Sequence, residues 1–173
     1  MSLYRHIATQ QELLRAVPDT YLTDVQFPVV DELSWDETIK RVILVLDEEF
    51  ESHPRLADIM SVQPIEAAAV LAALELCASA LRRGGLGDDE VVSGLAVLTA
   101  YATGYVRRRA ERRRNAAVQE ERLARIRHLD EVEFPTLASL GDAVTALGTH
   151  QYFEAGLDIL IDALSRRAAG PSA

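Results

Sequence analysis

Any chemistry done by this sequence would have to come from four histidines, one cysteine, a few clustered carboxylates and one run of arginines. His6, His53, His128 and His150 are scattered, with no His-Glu-x-x-His pair and no cysteine cluster, so the spacing indicates no metal site. The densest group is His128, Asp130, Glu131 and Glu133, which reads as a solvated polar connection. Asp47, Glu48 and Glu49 could supply an acid/base pair, but the apolar stripe of their helix puts them on its exposed side. There is no Gly-rich phosphate cradle and no nucleophile elbow. These patterns argue against an enzyme and imply no cofactor. Arg107 to Arg109 and Arg112 to Arg114 could contact nucleic acid, yet one short patch in a chain of net charge -9 is weak evidence for it. A solvated helix end, or pairing with acidic neighbours, fits better.

The elements that must position these residues are helical. The 173 residues fit one domain, possibly with a small appendage, and 49% hydrophobic with 26% charged residues describes an ordinary globular chain. The single Cys77 excludes an intrachain disulfide framework and fits a reducing cytoplasm. No leader-like segment opens the chain, and its longest apolar run, Val91 to Val106, is broken by Ser93, Thr99 and Thr103 and is too short to span a bilayer. The expected location is therefore the cytoplasm, with no membrane partner.

Thr9 and Glu12 form a capping-box pattern opening a helix that ends or kinks before Pro18. Pro28, Val29 and Val30 suggest an irregular connection. Ser34 and Glu37 form a second capping box, and Trp35, Ile39, Val42, Ile43, Leu46 and Phe50 follow as one core-facing stripe until Pro54. A short turn over Leu56 to Met60 leads to Pro64, placed for the first turn of the next helix. Leu71, Leu74, Ala78 and Leu81 form that helix's stripe, and Gly84 and Gly85 stop it. Asp88, Asp89 and Glu90 suit the positive end of a further helix dipole. That helix is apolar through Tyr105, carries Gly104 in its interior, and is followed by charge to about Asp130, which reads as a solvated helical extension or a partly disordered crossover. Pro135 opens a short helix to Leu147. No β pattern survives, so the fold class is all-α.

The last helix, from His150 to Ala169, is apolar on two sides. Phe153, Leu157, Leu160, Ile161 and Leu164 make one face; Tyr152, Gly156, Ile159 and Ala163 make a second. A terminal helix of a small domain reaches its own core with one side only, so the second suggests a partner subunit. Gly156 supports a close helix crossing there.

The segments LYRH near the start, SWDETI, HPRLADIM, the glycine pair at 84 and 85, AYATGY, FPTL and FEAGLDILIDAL occur in this order along almost the whole chain. In order and spacing they resemble the tetracycline-repressor (TetR) family of bacterial transcriptional regulators, specifically those with the tetracycline repressor's own type of C-terminal domain.

The resemblance implies a ligand-responsive transcriptional regulator, a repressor, in which residues 23–173 form a ligand-binding and dimerisation domain. The homodimer would close through a four-helix bundle using Tyr101, Gly104 and Tyr105 of one helix and Phe153, Gly156, Leu157, Leu160 and Leu164 of the last. Residues 1–22 would be the remnant of a helix-turn-helix domain whose first two helices and the start of the third are absent. Ser2, Tyr4, Arg5 and His6 match DNA-contacting positions, and Thr9 and Gln10 stand where the family usually has Asn and Lys. Operator DNA would then be bound only where a full N-terminal domain is present. Positions corresponding to the family's ligand contacts are Gln26, Val42, Leu46, Met60, Leu74, Cys77 and Leu95, a lining that suits a largely apolar effector better than tetracycline with its magnesium ion. The alternative is a stand-alone dimeric module that binds a small molecule or sequesters a partner without touching DNA.

Overall fold

The computed structural model describes residues 18, 21–22, 24–28, 32–60, 67–146 and 148–169, the Met60 side chain excepted. Among these residues there are helices and connections and no strand, as expected of an all-α chain. The Thr9 helix, the candidate DNA contacts Ser2, Tyr4, Arg5 and His6, and Pro64 lie outside the described residues.

Helix α1 (Trp35–Ser52) starts where the capping box requires: the Ser34 hydroxyl accepts from the Glu37 N–H at 3.4 Å, and the Glu37 carboxylate accepts from the Ser34 N–H at 3.2 Å. Ile39, Val42, Ile43 and Phe50 of its stripe are buried. His53 caps its end, and Pro54 begins the short α2 (Pro54–Met60). The apolar turn expected at Leu56 to Met60 is thus helical, and Leu56 and Ala57 are buried.

Helix α3 (Ala68–Arg83) packs mainly on α1. Its buried face is Ala73, Cys77, Ala80 and Leu81, rotated from the expected stripe; Leu71 is 59% exposed. Small residues occupy the contact because the helices approach closely, so the larger leucines do not mark the core side. A Cβ on Gly84 would stand 2.7 Å from the Trp35 ring, which explains a glycine at this crossing. The stop is a Schellman turn: Gly85, at φ 92°, donates to the Arg82 carbonyl at 3.0 Å and Leu86 donates to the Leu81 carbonyl at 3.2 Å.

Helix α4 (Asp88–Arg114) continues unbroken through the arginine run, so of the two readings of that run the helical extension holds there and the crossover does not. It touches α1, α2, α3 and α8. After α5 (Ala116–Arg127), the single helix expected over 135–147 is two pieces, α6 (Pro135–Ser139) and α7 (Asp142–Thr145), separated at Gly141 with φ 52°. None of these three helices buries a residue. Helix α8 (His150–Ala168) then returns antiparallel to α4, Leu164 lying by Gly94 and Phe153 by Tyr105.

Candidate ligand core and dimer face

The expected ligand lining divides. Val42 of α1 and Cys77 of α3 are buried in one core cluster, with Leu46 and Leu95 half-buried against it. Leu74 is half-buried. Gln26 is exposed, its amide donating to the Asp24 carbonyl at 3.4 Å, which leaves this polar group on the surface. The side chain of Met60 lies outside the described residues. Burial pushes the Cys77 thiol up to about 12, so it is a neutral, weakly polar wall here. The other buried polar group between α1 and α3 is already satisfied: Thr38 donates to the Ser34 carbonyl at 2.8 Å and accepts from Arg83 at 3.0 Å. What α1, α3 and α4 bring together is therefore an apolar centre.

Asp47 corrects the expectation of a surface carboxylate. It is 2% exposed and faces Arg109 of α4, itself buried. Arg109 donates to Asp47 Oδ2 at 2.9 Å and to the Asp47 carbonyl at 3.1 Å, while Oδ1 lies 2.8 Å from the guanidinium yet accepts no hydrogen bond. Glu48, by contrast, is exposed as expected. Loss of hydration raises the Asp47 carboxyl above its ordinary value, against the opposing pull of Arg109. His150, at the start of α8, lies 3.5 Å from Asp47 and 2.8 Å from Glu154, so the group ties together α1, α4 and α8. The buried positions of α4, Val91, Gly94, Leu98, Tyr105 and Arg109, keep helical spacing, and extending that stripe past Val106 would have reached Arg109 from sequence.

The seam between α4 and α8 is aromatic. Tyr105 and Phe153 stack at 4.1 Å between ring centroids, and Tyr101 also stacks with Phe153 at 5.4 Å. Burial raises both tyrosine hydroxyls above their ordinary value. Tyr105, Phe153 and Leu157 are buried within the chain and Leu160 and Leu164 are half-buried against its core, so these five form the intrachain side of the expected interface. The argument drawn from Gly156 also changes. A Cβ there would stand 2.0 Å from the Tyr101 hydroxyl, which donates to the Phe153 carbonyl at 2.9 Å. Gly156 makes room for this chain's own tyrosine. Beyond its chain neighbours and its own helix backbone, no atom of the described residues lies within 4 Å of a Cβ position at Gly104.

The second face of α8 is open, with Tyr152 and Ile159 39% and 66% exposed and Ala163 exposed beside them. On α4, Val97, Ala100, Gly104 and Arg108 are exposed at matching helical spacing. The arginine run is mostly paired: Arg113 with Glu51 at 3.4 Å, Arg114 with Asp58, and Arg112 with the Gly148 carbonyl. Gly104, Arg107, Arg108, Glu111, Arg114 and Asn115 line a groove of about 460 Å³ at this end of α4. In the His128 group, Asp130 accepts from the N–H groups of Val132 and Glu133 at 2.7 and 3.0 Å, a turn-forming role. Among the described residues no set of three His, Cys, Asp or Glu is placed to hold a metal ion, and no helix is long and apolar enough to cross a membrane.

Among the described residues the chain is thus an all-α domain with an apolar centre, a buried charge group joining three helices, and one uncovered two-helix face. Residues 10–168 match the family described as "Tetracyclin repressor-like, C-terminal domain", and the chain belongs to it. It is 27% identical over 169 residues to an HTH-type transcriptional regulator of Saccharopolyspora erythraea, covering 96% of this chain and 71% of the relative. It is 28% identical to the HTH-type transcriptional repressor DrrR1 of Streptomyces coeruleorubidus, covering 95% of this chain. The chain spans only 64% of that relative's length. Among solved structures, ActR of Streptomyces coelicolor in complex with actinorhodin superposes with a TM-score of 0.79 at 28% identity, over 96% of this chain and 81% of ActR. The family is one of ligand-responsive transcriptional regulators, not of enzymes, which favours regulation over stand-alone sequestration.

Proposed function

We propose that residues 23–173 are the effector-binding and dimerisation domain of a cytoplasmic repressor, and that residues 1–22 are the end of its DNA-binding domain. The observation that carries the dimer is the uncovered face of α4 and α8, with Ile159 66% exposed beside Tyr152 and Ala163. Two such faces stacked about a two-fold axis make a four-helix bundle. Gly104, with no atom of the described residues near its Cβ position beyond its neighbours and its own helix backbone, is suited to a close crossing in that bundle. Operator contact would run through Ser2, Tyr4, Arg5 and His6 as part of a complete helix-turn-helix domain.

The effector in this reading is a largely apolar small molecule seated among Val42, Leu46, Leu74, Cys77 and Leu95. These side chains supply contact area and almost no hydrogen-bonding capacity, so a ligand rich in polar edges would be buried without partners. The complexes of ActR with actinorhodin and with (S)-DNPA support a small organic ligand for a domain of this kind. Effector binding would shift a population between arrangements of the segment leading to the DNA-binding domain, to the extent that it binds one arrangement more tightly. Pro18 and Leu22, both buried, and Tyr21, whose ring lies 5.3 Å from His53, fasten the end of that segment near the junction of α1 and α2.

Sedimentation equilibrium of the chain tests the reading. A dimer is expected, and Ile159→Arg should make it a monomer of unchanged helix content, because this side chain contributes little to the intrachain core. A wild-type chain that is monomeric at every concentration would refute the dimer.

A further inference from the structure

The basic end of α4 carries more charge than the chain itself uses. Arg109, Arg113 and Arg114 pair with Asp47, Glu51 and Asp58, and Arg112 donates to the Gly148 carbonyl. Arg107 and Arg108 are exposed, line the groove beside Gly104 together with Glu111, and form no ion pair among the described residues. In a chain of net charge -9, two adjacent uncompensated cations next to an uncovered helix-interior glycine mark a place built for something outside the chain.

The complement is present on α8. Ala155, Ile159, Asp162 and Arg166 follow one another at helical spacing and are all exposed, so Asp162 shares the stripe of Ile159. The other acidic residues of this helix are engaged: Glu154 with His150 at 2.8 Å and Asp158 with Lys40 at 2.6 Å. Asp162 is the carboxylate of α8 without an ion pair among the described residues.

We propose that Arg107 and Arg108 of one copy clamp Asp162 of the partner subunit, the contact forming beside Gly104 and setting the register of the two-helix faces. This rests on the dimer reading above. A two-fold interface repeats the contact, so each substitution is felt twice. The apolar residues Val97, Tyr152 and Ile159 supply adhesion but little directional preference along the helix axes, whereas a charge pair at one end excludes registers that bring arginine against arginine.

The test is sedimentation of the chain and two charge reversals, R107E/R108E and D162K. Each variant alone should raise the dimer dissociation constant at least about tenfold, and an equimolar mixture of the two should recover a heterodimer. Wild-type association should weaken as salt approaches about 1 M, where the Debye length falls to about 3 Å. Circular dichroism checks that the variants remain helical; if a reversal fails to fold, R107Q/R108Q read against the same salt series serves instead, and the dimer should weaken and lose its salt dependence. A wild-type dimer that is indifferent to salt and to these substitutions overturns the clamp while leaving the dimer reading intact. Loss of heparin retention by R107Q/R108Q with the dimer unchanged would assign the arginines to a polyanion, and also overturns it. A wild-type chain that never dimerises removes the dimer reading, and the clamp with it.

Discussion

Replacing Arg109 by Met should be among the most damaging single substitutions in this domain, and replacing its partner as well should undo much of the damage. Asp47 is 2% exposed, and Arg109 supplies its hydrogen bonds from outside α1. Removing the guanidinium leaves the buried carboxylate with only His150 nearby at 3.5 Å, at a cost of about 3–5 kcal/mol. Asp47→Leu with Arg109→Met removes both desolvation costs, and apolar replacement of a buried pair is often neutral or stabilising, so the double variant should be more stable than R109M by about 2 kcal/mol or more. Urea denaturation at fixed protein concentration reads both numbers, since any dimerisation would otherwise shift the midpoint. The pH dependence supplies an independent sign. Burial already raises the Asp47 carboxyl, and losing Arg109 removes the main opposing pull. A raised carboxyl means that the charged form is penalised in the folded state. The penalty is complete above the folded-state value and fades as pH falls through that value towards the ordinary 3.8. The gap in stability between wild type and R109M should therefore narrow as pH is lowered from neutral. If the two single costs add in the double variant, or the gap widens on acidification, the buried-pair argument is wrong.

Gly156→Ala should destabilise by about 1–2 kcal/mol despite better helix propensity, because the Cβ would displace the Tyr101 hydroxyl and its bond to the Phe153 carbonyl. In a Tyr101→Leu background the same change should stabilise, and thermal melts of the four variants decide it. Gly85→Ala, at φ 92°, should cost about 1–2 kcal/mol in the same assay, and a cost near zero would contradict the strained stop of α3. Cys77, its thiol pushed up to about 12 by burial, should resist an aromatic disulfide reagent at pH 8 and react in step with unfolding; prompt labelling of the native chain would show that the α1–α3 core opens.

Local signals in this sequence were legible where a few neighbouring residues decide the outcome. Ser34 with Glu37 fixed one helix start, and the glycine pair at 84 and 85 fixed a stop, because capping and positive φ are properties of a four- to six-residue window. The core face of α3 was not legible in the same way. Leu71 fits an apolar period as well as Ala73 does, and only the closeness of α1 selects the small residues Ala73, Cys77 and Ala80 for the contact. The candidate lining entered through resemblance; Val42, Leu46, Cys77 and Leu95 lie in or against the core, the first two on a stripe that periodicity also marks as inward, while Gln26 is exposed.

Asp47 was misread for a long-range reason, although pairing with acidic neighbours was one of the two readings of its partner's arginine run. Asp47 sits in a run of three acidic residues and looks like surface, but its partner is 62 residues away in a run of arginines that also looks like surface. Each segment is polar when read alone, and burial becomes affordable only when the two meet. Gly156 was the converse: a local feature assigned to a partner subunit whose cause, the Tyr101 hydroxyl, lies 55 residues earlier in the same chain. Periodicity reports which side of a helix is covered and carries no information about what covers it. The open face of α8 therefore has to be argued from residues that remain exposed after the intrachain contacts are subtracted. Tyr152, Ile159 and Ala163 pass that subtraction; Phe153 and Leu157 do not. A substitution at Phe153 would test the fold, and only one at a residue such as Ile159 would test the dimer.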